Sequence, residues 1–230
     1  MASIVSRAGW GARKPRTAPT RLARTKGVKV HYTGGHVDPR IVDDHARCIE
    51  LMMQIQIHHM NGNGWSDFAY NLAACPHGRL FEGRGFEVMS AANGSGLNTD
   101  HYAILGLVGN SGFTQPNSAL LNALRDGIDL LRKRGAGPEI KGHRDGYSTD
   151  CPGGPLYAWV RAGAPRPDPL EDDVSADDLW HKARIKRKKG TLEEREVSPA
   201  SFLQELEMEQ DAQSVQLDRI EKMLGQLLAK

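Results

Sequence analysis

The residues best suited to chemistry lie in the run Gly142-His-Arg-Asp-Gly-Tyr-Ser-Thr-Asp-Cys-Pro-Gly, where His143 and Cys151 stand eight positions apart in a stretch of turn-forming residues just after an expected strand. Folded back on itself, such a segment can bring an imidazole and a thiolate to face one point, and both are ligands for a borderline metal such as zinc. A third ligand would complete a catalytic site of three protein donors and one open position. His31, at the end of a second expected strand and ahead of the Gly34-Gly35 turn, is the candidate.

The other histidines and cysteines carry weaker claims. His58 and His59 fall near the end of an expected helix, where a partial positive charge complements the dipole. His36 reads as a loop residue near a site rim. His45, His77, His101 and His181 have no partner at ligand spacing and are assigned no chemistry. Three cysteines are too few, and odd in number, for a disulfide framework; Cys48 and Cys75 read as buried structural thiols. Asp145 either orients His143 or pairs with Arg144.

Short β-branched runs alternate with helical windows before Gly163, which favours an α/β domain over residues 1–163. The run from Val28 to Thr33 is expected as a strand that places His31. A long helix is expected from Asp38 to Met60, with Asp38 as cap, Pro39 at its first position, and an apolar face of Ile41, Cys48, Ile49, Met52, Met53 and Ile55. Residues 70–75 and 79–82 read as a hairpin, 103–109 as a buried strand, 116–134 as a second helix and 139–143 as a last strand that delivers His143.

With 39% hydrophobic and 25% charged residues, the 230-residue chain is neither collagen-like, mucin-like nor wholly disordered. No apolar run reaches the roughly 18 residues of a spanning helix; the longest is Ala103 to Gly109, and no transmembrane segment is expected. Residues 1–7 lack the basic start and apolar centre of a signal peptide, so the expectation is a chain made in the cytoplasm.

Charge changes sign along the chain: residues 1–163 carry 19 Lys+Arg and 13 Asp+Glu, a net +6, whereas 164–230 carry 11 and 15, a net −4. Residues 164–197 form a Pro-containing, charged linker. It includes six basic residues between Lys182 and Lys189, which read as a solvated face or an attraction to anionic wall polymer or headgroups; no nucleic-acid partner is expected. In 198–230, Leu203, Leu206, Gln210, Gln213, Leu217, Ile220, Leu224 and Leu227 recur at alternating steps of three and four. That pattern suits an amphipathic helix, either packed back on its own domain or self-associating as a coiled coil; the second is the expectation, giving a homo-oligomer.

Taken in order, Ser6-Arg-Ala-Gly-Trp-Gly-Ala-Arg, Val30-His-Tyr-Thr, Trp65-Ser-Asp-Phe-Ala-Tyr-Asn, Gly78-Arg-Leu-Phe-Glu-Gly-Arg-Gly, Gly106-Leu-Val-Gly-Asn, and Gly142-His-Arg-Asp with Thr149-Asp-Cys-Pro-Gly closely resemble the peptidoglycan recognition protein and type-2 N-acetylmuramoyl-L-alanine amidase family. The resemblance runs over residues 6–160. It implies a central mixed β-sheet flanked by helices, with a zinc ion at the floor of a groove that receives a muropeptide. His31, His143 and Cys151 match the family's zinc ligands, and Tyr70 matches the tyrosine beside the metal in catalytic members.

The implied reaction cuts the amide between the lactyl group of muramic acid and L-alanine. Members with serine in place of the cysteine generally bind peptidoglycan without cutting it, so Cys151 points to an enzyme. Thr149 stands where some phage amidases place a lysine; its uncharged hydroxyl is the weaker oxyanion donor, which shifts the burden toward the metal and Tyr70. Residues 103–108 offer no glutamate of the kind used by the related cytoplasmic recycling amidases. A zinc amidase is the leading expectation, and a non-catalytic peptidoglycan-binding or sensing module is the alternative. A wall hydrolase made without a signal peptide suits a phage or prophage endolysin, a delivered effector or a tail-associated hydrolase.

Overall fold

The computed structural model describes residues 2–167. The basic segment 182–189 and the heptad-like stretch 198–230 lie outside the described residues. Among the described residues, no helix is long and apolar enough to cross a membrane.

In chain order the elements are β1 (Ile4–Val5), β2 (Thr25–Tyr32), β3 (His36–Val37), a 3-10 turn (Pro39–Val42), α1 (His45–Ile57), a π turn (His58–Gly62), β4 (Leu72–Ala74), β5 (Leu80–Glu82), β6 (His101–Gly106), β7 (Ser111–Gly112), α2 (Ser118–Arg132), β8 (Ala136–Gly142), a second 3-10 turn (His143–Asp145) and α3 (Gly154–Arg161). Six strands form one sheet in the order β1-β5-β4-β6-β2-β8, and β3 pairs separately with β7. The β4–β5 hairpin is antiparallel and the other pairs in the main sheet are parallel, so the sheet is mixed, as expected.

Both faces of the sheet are covered, which is why β4 and the run Ala103 to Leu105 of β6 are apolar without a break. Period-two alternation sorts their side chains. Val28, Val30, Leu72, Ala74, Leu80 and Ile104 pack with Leu120, Leu124 and Ile128 of α2 and Leu156 of α3. Ala73, Phe81 and Leu105 face the other way, onto Trp10, Ile41, Cys48 and Met52. Helix α2 lies close to the sheet because it has a glycine at the contact: a Cβ on Gly127 would collide with Ile104 Cδ1 and stand 3.1 Å from Leu80 Cδ2.

The expected helix from Asp38 to Met60 is three pieces. Asp38 caps only the 3-10 turn, its carboxylate accepting from Arg40 N–H at 2.9 Å. Asp44, in extended conformation, then caps α1 by accepting from Ala46 N–H at 2.8 Å. An aspartate serves the end of a helix better than its interior, because its carboxylate competes for backbone N–H groups. At the far end the chain loosens into the π turn. Met53, expected on the apolar face, is 39% exposed, while Gln56 is buried and bonds Asp67 Oδ1 at 2.7 Å and both backbone groups of Arg13. That network fixes the loop carrying Trp65 and leading to Tyr70.

The packed chain also runs past Gly163. Ala164 is fully buried, Trp159 Nε1 donates to the Pro165 carbonyl at 2.8 Å, and Arg166 pairs with Asp126 at 2.6 Å and Asp129 at 3.2 Å.

Candidate metal centre and groove

Parallel pairing of β2 with β8 puts Val30 opposite Gly142, so His31 and His143 leave the same edge of the sheet side by side, with ring centroids 4.5 Å apart. Cys151 closes the triangle from the loop before α3: its Sγ lies 3.5 Å from His31 Nδ1. The donor atoms of His31, His143 and Cys151 all lie within 4.8 Å of one another, a group able to hold a metal ion.

The loop is held by its own backbone. Arg144 N–H donates to the Cys151 carbonyl at 3.0 Å, and Thr149 Oγ1 accepts from Cys151 N–H at 3.2 Å. Asp145 neither orients the His143 ring nor pairs with Arg144. It accepts from Gly142 N–H at 2.7 Å and from the Tyr157 hydroxyl at 2.7 Å, clamping the turn that starts at His143, while Arg144 stacks over Tyr157.

Asn93, unremarked in the sequence, decides the protonation of His31. Its Nδ2 donates to the His101 carbonyl at 2.7 Å and to Ser90 Oγ at 3.2 Å, so its Oδ1 is an acceptor, and His31 Nε2, 3.0 Å away, must carry the proton. The lone pair of Nδ1 is thereby left facing Cys151. Burial, helped by His143, pushes the His31 imidazole down to about 3, so it is neutral. His143 is lowered too, by burial and then by the nearby Lys29, and its Nε2 is buried with no hydrogen-bond partner.

Lys29 is a second residue that sequence reading missed. It is 3% exposed on β2, two positions before His31 and hence on the same face of the strand. Burial alone raises the Cys151 thiol to about 11, because nothing positive touches it strongly enough to hold a thiolate.

The three donors open into a cleft of ≈ 440 Å³ that Tyr70, His59, Trp65 and Thr149 also line. Tyr70 stands edge-on to His31, with centroids 5.2 Å apart, and burial followed by the neighbouring Cys151 raises its phenol, which is therefore neutral. A second cleft of ≈ 420 Å³ shares Trp65, Ala92 and His143 with the first and adds Tyr147, which stacks on His143 at 5.2 Å. Together they make a groove with aromatic walls.

His59 was expected to serve the helix dipole. It is instead turned inward by the π turn, buried at 7% exposure, and its Nδ1 accepts from Ala69 N–H at 3.2 Å. His36 lies exposed in β3 near Ser111, and Cys48 and Cys75 are buried free thiols.

No protein-family model matches the chain. Among curated proteins it is 32% identical over 163 residues to peptidoglycan-recognition protein SC2 of Drosophila melanogaster, covering 69% of this chain and 85% of that one. It is 32% identical over 165 residues to an N-acetylmuramoyl-L-alanine amidase of Sus scrofa, covering 69% of this chain and 27% of that longer protein. Among solved structures, wild-type Drosophila PGRP-LB superposes with a TM-score of 0.62 at 26% identity, over 75% of this chain and 99% of that one. Peptidoglycan recognition protein-LE in complex with tracheal cytotoxin, a monomeric diaminopimelic acid-type peptidoglycan, gives 0.61 at 25% identity, over 70% and 93%. The chain belongs to the peptidoglycan recognition protein family, whose members include proteins named for recognition and proteins named as amidases.

Proposed function

We propose that this chain is a zinc-dependent N-acetylmuramoyl-L-alanine amidase that cuts the bond between the lactyl group of muramic acid and L-alanine in peptidoglycan. The observation that carries the reading is the donor set: a thiol and two neutral imidazoles converge at the floor of an open groove. These residues fit zinc. They offer borderline and soft donors in the number of a catalytic site, with an orphaned buried Nε2 on His143 and a proton already placed on the far nitrogen of His31. When bound, zinc would supply a Lewis acid for the scissile carbonyl and acidify water to a pKa of about 7.

The chain's own residues do the rest. His31, His143 and Cys151 would hold the ion, and Asn93 keeps His31 in the ligating tautomer. The Tyr70 hydroxyl, neutral at the edge of the cleft beside His31, would donate a hydrogen bond to the oxyanion that develops on the carbonyl. Thr149 keeps Cys151 in place through its oxygen and retains a hydroxyl proton to donate toward the cleft. Trp65 and Tyr147, 38% and 50% exposed, offer flat apolar surface along the groove for sugar rings or the peptide stem.

The test is release of a free amine from a purified muropeptide, with and without chelator. Cys151→Ser is expected to keep the fold and the groove, weaken zinc binding in the groove and abolish release, because a neutral hydroxyl replaces a thiolate ligand. Full activity of that variant in metal-free buffer would refute the mechanism. A second reading, recognition without cleavage, draws on the relatives named as recognition proteins; muropeptide binding without any amine release from the zinc-loaded chain would establish it. We further propose that the chain serves as a phage or prophage endolysin, made in the cytoplasm and acting after release. Expression with a membrane-pore protein should then lyse the cell, and expression alone should not.

A further inference from the structure

A second cluster of metal-ligating side chains lies away from the groove, under the start of α1. His45 is the first residue of that helix and Cys48 lies one turn on, a spacing that puts both on one face. Opposite them, Cys75 directly follows β4 at the tight turn of the β4–β5 hairpin, held by its N–H on the Arg79 carbonyl at 3.1 Å and its carbonyl on Gly78 N–H at 3.0 Å. The donor atoms of His45, Cys48 and Cys75 all lie within 4.8 Å of one another, as do those of the group in the groove. We propose that His45, Cys48 and Cys75 form a second, structural zinc site that clips the first turn of α1 to the β4–β5 hairpin.

The geometry supports a metal over a plain packing cluster. Zinc bonds of about 2.3 Å to sulfur and about 2.0 Å to nitrogen, at a tetrahedral angle, set the two donors about 3.5 Å apart. His45 Nδ1 stands 3.7 Å from Cys75 Sγ, against 3.5 Å for His31 Nδ1 and Cys151 Sγ. Both sulfurs are fully buried, and His45 Nε2 is buried with no hydrogen-bond partner. Nδ1 is the nitrogen turned to the Cys75 sulfur, so an ion held there would fix the ring proton on Nε2.

A Cys48–Cys75 disulfide would use both sulfurs, yet it would leave unexplained why a histidine one turn before Cys48 presents its Nδ1 to Cys75. The ring is also held as a ligand ring is held: it stacks on Phe81, centroids 5.5 Å apart at 18°. His77 borders the cluster edge-on to His45 at 5.4 Å, and its Nε2 meets the Ile41 carbonyl at 2.9 Å, which fixes the proton there and leaves Nδ1 bare. A carbonyl on the far nitrogen is the usual partner of a ligating imidazole; His77 lies outside the three-donor group and would reach the fourth position only by a shift of its ring.

Such a clip would act on the groove from behind. The helix it anchors leads into the π turn bearing His59, and the hairpin it anchors follows Tyr70 directly. The site is independent of the proposed hydrolysis, and its test does not depend on turnover. The full chain, expressed with zinc, should contain two zinc ions per molecule by elemental analysis. After replacement by cobalt, Cys151→Ser should retain sulfur-to-cobalt charge-transfer absorption, because the remaining thiolates are Cys48 and Cys75. Cys48→Ser with Cys75→Ser should lose one zinc per chain and keep the other. If that double variant does not fold, Cys151→Ser alone decides. No thiolate-to-cobalt band in Cys151→Ser would overturn the site, as would a native mass lower by the two hydrogens of a Cys48–Cys75 disulfide.

Discussion

Asn93 acts on the site without touching the cleft's reacting position. Its Oδ1 holds the His31 proton on Nε2, and its Nδ2 is itself pinned by the His101 carbonyl, so one amide sets the tautomer of one ligand. Asn93→Ala removes that acceptor and frees the ring; zinc affinity is expected to fall about 10–100-fold, read by competition with a chromophoric chelator. Tyr70→Phe should behave differently. It deletes a hydroxyl that is no ligand, so zinc content should hold while kcat falls about 10²-fold, the cost of one oxyanion donor; equal zinc loss would place Tyr70 among the ligand supports instead. The buried histidines also set a pH dependence for the metal-free fold. Burial pushes His31 to about 3 and His59 to about 4, both below the ordinary value of 6.5. The unfolded chain therefore binds protons that the folded chain refuses, and stability, fully present above pH 6.5, is lost as pH falls from 6.5 toward 4 for His59 and toward 3 for His31, at up to about 1.4 kcal/mol per group per pH unit. Denaturant midpoints of the zinc-free chain should hold level from pH 7.5 to about 6.5 and fall steadily from there to 4.5; a flat profile throughout would mean that neither ring is buried neutral.

Caps and close contacts decide how the elements hold these residues. Asp44→Ala removes the side-chain acceptor at the start of α1 and should cost about 1 kcal/mol, seen as a lowered melting temperature. Gly127→Ala drives a methyl into Ile104 and should cost about 1–3 kcal/mol through overpacking. The strands and α2 were legible in the sequence because their residue types are patterned: Val28 and Val30 alternate with Lys29 and His31, and α2 carries Leu120, Leu124, Ile128 and Leu131 at helical spacing. The break before α1 was hidden, since Ile41 and Cys48 continue an apolar face across Asp43-Asp44 and only the caps mark the interruption. Lys29 was hidden for the opposite reason, as alternation assigns a lysine on a strand to solvent, while this one lies under the turn at Gly146, whose missing side chain leaves room for it. Asn93 sits in an aperiodic loop, and nothing local announces that its amide faces a histidine 62 positions away. The zinc-ligand candidates, by contrast, were readable through ordered motifs, and parallel pairing of β2 with β8 supplies the physical reason that motifs so far apart meet.

At the scale of the whole molecule, the packed unit ends later than the composition shift at Gly163 suggests. Ala164 fills a fully buried position, Pro165 receives the Trp159 indole N–H, and Arg166 binds the two aspartates of α2, so cutting at Gly163 would expose that seam. A chain ending at Pro167 keeps all of these contacts and is the appropriate test of what the remaining residues add. In 198–230, six of the eight residues at alternating steps of three and four are Leu or Ile; in a coiled coil Gln210 and Gln213 would set two amides in the middle of the seam, at a cost in stability that would restrict register and strand number. The pattern leads us to propose a homo-oligomer, most simply a parallel dimer, with catalytic units joined through 168–197. Several units on one stem raise the local concentration at a repetitive polymer and slow release from it, with no change in the chemistry of any one site. The chain ending at Pro167 is therefore expected to be monomeric by light scattering and to release amine from small muropeptides at the full-length rate, yet to clear whole cell walls more slowly. The full chain should scatter as an oligomer at micromolar concentration, and Leu217→Glu with Leu224→Glu should return it to a monomer with the slower clearance of the shortened chain. A full-length monomer that clears walls no faster than the shortened chain would remove the coiled coil from the account and leave the 198–230 pattern to a helix that serves some other contact.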